Sequence, residues 1–281
     1  MLFSIFALTI ITVWFMKSVI YRTTLLISTL LMTISCGKNV DSRLVEFSIK
    51  DSSGTERECG VYLPKNYSKS KEYPVIYMLD GLVFKERGYK VLVDSLIDNR
   101  CISPVIIACS YENKEPVPGF RISYRNAEFV ESISRQDPKL TELFENHYSF
   151  VTQDFINYIE KHYPVKKDPD GRIFYGTSNS ADFGITLSFR DPSLISEYWC
   201  FSPVNSNIEH YGMLEDNVTY RICWGVKEEV NQFDYFPSLV NSIRKRGGNV
   251  KSWVFESGHD RGYWRKWFGE ELKRRFPCKV N

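Results

Sequence analysis

The sequence predicts an α/β fold in which a mostly parallel eight-stranded sheet carries helices on both faces. Three observations lead to this prediction. Short apolar runs typical of strands recur along the chain, and two of them, 74–79 and 104–109, are continuously apolar. Strands of that kind are buried on both faces of a parallel sheet. Segments with helical spacing alternate with the later runs, and 281 residues are enough for one domain with a large core.

The elements can be assigned in chain order. Residues 44–49 alternate apolar and polar side chains, and residues 58–63 follow a turn at 51–54, which predicts a hairpin. The remaining strands are predicted at 74–79, 104–109, 172–176, 198–201, 220–226 and 251–255. Helices are predicted near 89–97, at 151–159, behind the strand 172–176, at 237–246 and around 264–272. Residues 111–147 are polar, aromatic and irregular, which favours a lid or substrate loop.

The first 36 residues differ from the rest of the chain. They contain no acidic residue, two basic residues (Lys17 and Arg22), and an apolar or hydroxylated run at 23–34 that leads to Ser35 and Cys36. This order is typical of a secretory signal, and the cysteine after a small residue resembles a bacterial lipoprotein signal, in which that cysteine is lipidated. A transmembrane anchor is the alternative, but neither apolar run reaches the roughly 20 residues that a span needs.

We therefore divide the chain into a signal segment at 1–36, a tether at 37–42 and a folded domain at 43–281. This division predicts export to the bacterial cell envelope, either periplasm or cell surface, with membrane contact only through a lipid on Cys36.

Charge and cysteine spacing exclude several classes of function. The chain has 36 Lys+Arg and 34 Asp+Glu, and loss of Lys17 and Arg22 would leave 34 of each, so nothing favours nucleic acid as a partner. No cysteine pair has zinc-site or CxxC spacing, and we predict no metal and no cofactor. A disulfide among Cys59, Cys101 and Cys278 stays open.

The run 172–180 contains the first chemical signal. An apolar strand ends in Gly176-Thr177-Ser178-Asn179-Ser180, with small residues two before and two after the central serine. A tight turn between a strand and a helix presents such a serine as a nucleophile, and the usual form is Gly-x-Ser-x-Gly. Ser180 departs from that form, although serine is still small. We predict Ser178 as the nucleophile.

A serine nucleophile needs a histidine base, and the base needs an acid to orient it. In this type of sheet the order is serine, acid, histidine. His147 and His162 precede Ser178, whereas His259 follows the last predicted strand at the carboxyl edge of the sheet. We predict His259 as the base, and we set His210 aside because it lies in a polar loop.

The acid is expected after the seventh strand. Glu228 and Glu229 both stand there, with Asp234 a more distant candidate, and we favour Glu228. Stabilising the oxyanion needs two backbone N–H groups. We predict those of Asn179, directly after the nucleophile, and Leu82, in the turn after the third strand.

Taken together, these motifs resemble a known family. The chain is similar to the branch of the α/β-hydrolases that includes esterase D, enterochelin esterases, feruloyl and acetyl-xylan esterases and the mycolyltransferases. The matching pieces are 77–82, 176–180, 201–203, 225–228 and 258–260 followed by Trp264. The resemblance implies an α/β-hydrolase fold and a serine carboxyl-ester mechanism. It assigns Ser178 as nucleophile, Glu228 as acid, His259 as base, and the amides of Leu82 and Asn179 as oxyanion donors.

The resemblance leaves more than one function open. The leading expectation is a serine carboxylic-ester hydrolase with an acyl-enzyme intermediate, acting on a small-molecule ester or a polysaccharide-linked feruloyl or acetyl ester, or on a siderophore ester. Acyl transfer by the same triad is the first alternative. A non-catalytic surface lipoprotein that binds ligands on a hydrolase scaffold is the second, and the complete triad argues against it.

Overall fold

In a computed structural model, which describes residues 40–214, 217–230 and 234–278, eight strands form one sheet. The strands are β1 (Arg43–Lys50), β2 (Glu56–Leu63), β3 (Val75–Met78), β4 (Ile106–Ser110), β5 (Arg172–Thr177), β6 (Glu197–Phe201), β7 (Thr219–Gly225) and β8 (Asn249–Phe255). Their order across the sheet is β1-β2-β4-β3-β5-β6-β7-β8. β1, β2 and β4 pair antiparallel, and the pairs from β4 through β3 to β8 are all parallel. The predicted fold class, a mostly parallel eight-stranded sheet, is confirmed.

Helices cover both faces of this sheet. They are α1 (Leu82–Glu86), α2 (Tyr89–Asp98), α3 (Tyr124–Phe129), α4 (Glu131–Ser134), α5 (Pro138–Ser149), α6 (Ile156–His162), α7 (Asn179–Arg190), α8 (Tyr235–Lys245) and α9 (Arg261–Arg275). A π-helical segment, Phe150–Phe155, joins α5 to α6, and a 3₁₀ turn, Pro169–Gly171, precedes β5. Within the described ranges, no helix combines the length and apolar character that crossing a membrane requires.

The strands are apolar on both sides because each face of the sheet has its own core. Along β6, Tyr198 and Cys200 belong to one buried cluster, whereas Trp199 and Phe201 belong to the other. The first cluster includes buried side chains of α6, α7 and α8, and the second includes those of α1, α2 and α9. Such alternation between two buried faces produces the continuous apolar runs seen in the sequence.

The prediction of an irregular loop at 111–147 is wrong from residue 124 onward, where the chain forms α3, α4 and α5. The Ser123 side chain caps α3 by accepting from the amide of Asn126, and Asp137 caps α5 in the same way. Pro138 occupies the first turn of α5, where its fixed φ suits a helix start. These capping signals are visible in the sequence, but polar and aromatic residues between them obscure the helical spacing.

The disulfide that the sequence left open and the predicted lipidation of Cys36 concern different parts of the chain. In the part that the structure describes, Cys59, Cys101 and Cys278 are free thiols, and Cys59 is buried in β2. The predicted lipidation residue, Cys36, and the rest of the signal segment lie outside the described residues.

Three neighbouring strands are each followed by a non-glycine residue with a positive φ angle. Asp80 after β3, Ser178 after β5 and Ser202 after β6 have φ values of 55°, 56° and 51°. This left-handed region costs non-glycine residues free energy, and such residues cluster at functional sites. Since β3, β5 and β6 are adjacent and parallel, the three turns lie along one edge of the sheet.

Candidate active site

Ser178 stands alone between β5 and α7. Thr177 ends the strand, Asn179 begins the helix, and the amide of Ser178 still donates to the carbonyl of Phe201 in the next strand at 2.9 Å. A side chain at Gly176 would not fit, because its Cβ would lie 2.4 Å from the carbonyl oxygen of Ser180. The glycine therefore lets strand and helix approach closely enough for the turn to form.

Ser180 replaces the second glycine of the usual motif without disturbing the turn. Its buried hydroxyl accepts from the amide of Thr177 at 2.8 Å and donates to the carbonyl of Thr177 at 2.7 Å. The extra polar atom is thus satisfied locally, and it links the first turn of α7 to the end of β5. The departure from the motif adds two hydrogen bonds to the turn.

The structure brings the three predicted triad residues into one hydrogen-bonded row. His259 Nε2 lies 2.9 Å from Ser178 Oγ, and His259 Nδ1 lies 2.8 Å from Glu228 Oε2. The His259 side chain is 42% exposed and the Glu228 side chain is 2% exposed. The row therefore runs from a buried carboxylate to a hydroxyl that substrate can reach, which is the arrangement that activates a serine.

Glu228 is held as a carboxylate by its other oxygen. Oε1 accepts from the hydroxyl of Ser202 at 2.6 Å and from the amide of Gly225 at 2.9 Å. Burial opposes the charged form, but the hydrogen bonds from His259, Gly225 and Ser202 outweigh it, so the pKa of Glu228 lies below its usual value. The acid is consequently ionised at neutral pH.

Two further residues support this row, and the sequence analysis gave neither of them a role. Trp264 Nε1 donates to Ser202 Oγ at 2.9 Å, so Ser202 is oriented toward Glu228. The Trp264 ring also stands perpendicular to the His259 imidazole, with ring centroids 4.6 Å apart. Both residues lay within the stretches that carry the family resemblance, and that was the available signal.

The candidates that the sequence left open lie elsewhere. Glu229 is exposed, and Asp234 precedes α8. His162 donates from Nδ1 to the carbonyl of Tyr158 at 2.7 Å, and His210 accepts from Arg135 at 2.7 Å. His147 is buried beside aromatic rings.

The two predicted oxyanion donors are both first residues of helices. The amides of Leu82 in α1 and Asn179 in α7 have no acceptor within their own helices, because the first turn of a helix leaves its N–H groups unpaired. The Leu82 amide lies 3.5 Å from Glu112 Oε2, at the outer limit of a hydrogen bond. The Asn179 side chain accepts from the side chain of Asn205 at 3.2 Å.

Ser178 and His259 open into a cleft of about 440 Å³, and seven of its sixteen lining residues carry charged side chains. These seven residues are Asp80, Glu86, Arg87, Glu112, Lys114, Arg125 and Arg261. Arg125 forms a two-bonded ion pair with Asp80, in which the Nη2–Oδ2 distance is 2.5 Å, and Lys114 pairs with Glu112 at 2.7 Å. Sequence reasoning missed these pairs.

Behind the cleft, Asp182 of α7 holds the loop that follows β6. Its carboxylate accepts from the amide of Asn205 at 3.1 Å and from the hydroxyl of Ser206 at 2.6 Å. Burial raises the pKa of Asp182 to about 7, and these hydrogen bonds offset only part of that effect. Because Asn205 also bonds to Asn179, this buried acid is connected to the residue after the nucleophile.

Solved structures with a similar fold include esterases. A ferulic acid esterase is 20% identical with a TM-score of 0.62, covering 85% of this chain and 98% of that chain. The feruloyl esterase module from Clostridium thermocellum, complexed with sinapinate, is 16% identical with a TM-score of 0.60, covering 84% and 88%. An enterobactin hydrolase complexed with DFP is 16% identical with a TM-score of 0.62, covering 84% and 96%.

The sequence also matches a protein family. The family described as Putative esterase matches residues 51–233, which is more than half of the chain. The expected kinship with feruloyl and enterobactin esterases is therefore confirmed. The chain belongs to this esterase family, and it is an ester hydrolase.

Proposed function

We propose that the protein is a serine carboxylic-ester hydrolase that uses Ser178, His259 and Glu228 as a catalytic triad. Ser178 Oγ attacks the ester carbonyl carbon while His259 Nε2 takes the hydroxyl proton. The tetrahedral oxyanion is held by the amides of Leu82 and Asn179. His259 then returns the proton to the leaving alcohol, and the C–O bond of the ester breaks. A water molecule, deprotonated by the same imidazole, hydrolyses the acyl-enzyme and restores Ser178.

The observation that carries this proposal is the row of hydrogen bonds from Ser178 through His259 to Glu228, at 2.9 Å and 2.8 Å. The acid has the chemical state that its role needs. Glu228 is an ionised acceptor for the imidazole N–H, which leaves Nε2 free to accept the serine proton. Ser178 precedes the N-terminus of α7, where backbone N–H groups stabilise negative charge.

A carboxylic ester is the substrate class that follows from this chemistry. Feruloyl or acetyl esters of a polysaccharide and a siderophore ester are the specific candidates. Their support is the similarity of fold to a ferulic acid esterase and to an enterobactin hydrolase. A screen with methyl ferulate, acetylated xylan and a catecholate siderophore would separate them by product.

The triad is tested by labelling and substitution together. A fluorophosphonate probe should label the wild-type protein at Ser178, and Ser178→Ala should lose both labelling and hydrolysis of p-nitrophenyl butyrate. Thermal unfolding should be nearly unchanged, because the small, partly exposed hydroxyl contributes little packing. A Ser178→Ala protein that still hydrolyses the ester at the wild-type rate would refute the proposal.

We further propose that the enzyme is exported and anchored to the bacterial cell envelope through a lipid on Cys36. The support is the sequence order of basic residues, an apolar run and a small residue before the cysteine. The Cys36→Ser protein should move from the membrane fraction to the soluble fraction. If it stays membrane-bound, an N-terminal anchor replaces the lipid in this proposal.

A further inference from the structure

The charges of the catalytic cleft are not evenly paired. Among its four Lys and Arg residues, Arg125 is bound to Asp80 and Lys114 is bound to Glu112. Arg87 and Arg261 form no ion pair with any of the described residues, and both are exposed. Of the carboxylates that line the cleft, only Glu86 likewise forms no ion pair with a described residue. The unpaired side chains of the cleft thus carry a net positive charge.

The two unpaired arginines lie at the ends of helices that border the cleft. Arg87 directly follows α1 as its C-cap, and Arg261 begins α9 two residues after His259. Arg265 of α9 donates from Nη1 to the carbonyl of Arg87 at 2.7 Å, which ties the end of α1 to α9. Because this bond uses the backbone of Arg87, the Arg87 guanidinium stays available to a ligand.

A cavity that adjoins the catalytic cleft carries the reverse charge. A second cavity of about 710 Å³ meets the catalytic cleft at Leu82 and Glu112. Its charged lining residues are Glu56, Arg57, Glu58, Glu112, Glu115 and Glu128. Arg57 is already bound to Asp51 and Glu128, so the unpaired side chains that line this second cavity carry negative charge. A negatively charged ligand group would be repelled there and attracted toward Arg87 and Arg261.

We propose that Arg87 and Arg261 form a subsite for an anionic oxygen group, such as a carboxylate, on the ester that Ser178 attacks. The inference rests on the proposed function, and it narrows the substrate to esters that carry a negative charge on the acyl or the alcohol part. Guanidinium groups suit this task because they stay charged and bind carboxylates through two parallel hydrogen bonds.

The test compares matched esters that differ in charge. For the acyl side, the pair is p-nitrophenyl hydrogen adipate and the neutral p-nitrophenyl methyl adipate, both followed by nitrophenolate release. For the alcohol side, the pair is p-acetoxybenzoate and the neutral p-acetoxybenzamide. Each pair is assayed with wild type, Arg87→Gln, Arg261→Gln, the double variant and Arg244→Gln. Arg244 is an exposed arginine of α8 outside the cleft, so it controls for loss of one positive charge.

In wild type we expect kcat/KM to favour the anionic member of at least one pair by about tenfold, since two charge-assisted contacts are gained. Each cleft variant should lower the anionic rate by about threefold to tenfold and the neutral rate by less than about twofold. Arg244→Gln should behave as wild type. Added salt should reduce the preference in wild type, because the arginines are exposed.

Other results overturn the inference in distinguishable ways. If wild type hydrolyses the neutral esters through Ser178 but shows no preference for either anionic ester, the subsite is wrong and the proposed function stands. If a preference persists in the double variant, it does not come from Arg87 and Arg261. If no ester is hydrolysed, or if Ser178→Ala is as active as wild type, the proposed function fails and this inference fails with it.

Discussion

The substitution Glu228→Gln separates the effect of charge from the effect of shape at the proposed triad acid. Glutamine fills the same space, so the buried site keeps its packing. What changes is the hydrogen-bond direction at one atom, and the structure fixes which atom it is. The amide of Gly225 donates to Oε1 at 2.9 Å and cannot rotate, so the glutamine oxygen must remain there. The new NH₂ group then faces His259 Nδ1, where Oε2 now lies 2.8 Å away.

Two donors cannot face each other, so the imidazole must move its proton from Nδ1 to Nε2. In that tautomer Nε2 no longer accepts the proton of Ser178. A comparable change of triad acid lowers turnover by about 10⁴, which is about 5 kcal/mol in the activation barrier. Because no buried charge is left unpaired and no cavity forms, we expect the melting temperature to fall by only about 3 °C.

The assay is steady-state hydrolysis of p-nitrophenyl butyrate, with circular dichroism to follow unfolding. Glu229→Gln is the matched control, because Glu229 is the adjacent residue, carries the same side chain and is exposed. It should stay within about twofold of wild type, as surface changes usually do. If Glu228→Gln keeps most of its kcat while folded, the hydrogen bond to His259 does not serve catalysis. If Glu229→Gln is the inactive variant, the acid is assigned to the wrong glutamate.

Two further outcomes concern stability. Gly176→Ala should destabilise the fold by about 3 kcal/mol or more, since its Cβ would lie 2.4 Å from the backbone carbonyl oxygen of Ser180. Gly212→Ala is the control and should be nearly neutral, because nothing lies within 4 Å of its Cβ. The denaturant midpoints of the two variants test this difference. The pKa of Asp182 is raised to about 7 in the folded protein, whereas an aspartate in the unfolded chain loses its proton near pH 4. The free energy of unfolding should therefore fall by about 4 kcal/mol through this residue as pH rises from about 4 to about 7. Urea unfolding across this range should show the loss in wild type and a flatter profile in Asp182→Asn; parallel profiles would contradict the assignment.

The sequence was sufficient to predict the fold class because each strand has a local signal. Strands buried on both faces are continuously apolar, and glycine or proline marks where they end. The same locality made the triad candidates predictable. Ser178, Glu228 and His259 each follow a strand of one parallel sheet, so their side chains meet at one edge whatever the intervening chain does.

The rest of the site depends on contacts between distant segments. The pairing of Arg125 with Asp80 joins residues 45 positions apart, and the contact of Glu112 with the Leu82 amide joins residues 30 apart. Neither residue of these pairs carries a pattern that points to its partner. The helices after residue 123 are a different case, because their caps at Ser123 and Asp137 are visible in the sequence but the prediction did not use them.

Three residues at this edge of the sheet keep side chains although glycine would adopt their positive φ angles at a lower cost in free energy. Asp80, Ser178 and Ser202 all leave their strands at φ above 50°, a conformation that glycine adopts without strain. Each keeps a side chain that the cleft uses: Asp80 binds Arg125, Ser178 lies against His259, and Ser202 donates to Glu228. Replacement by glycine would relieve the strain and remove the group. The backbone strain at these three residues is therefore the cost of placing three polar side chains side by side, next to the N-terminus of α7.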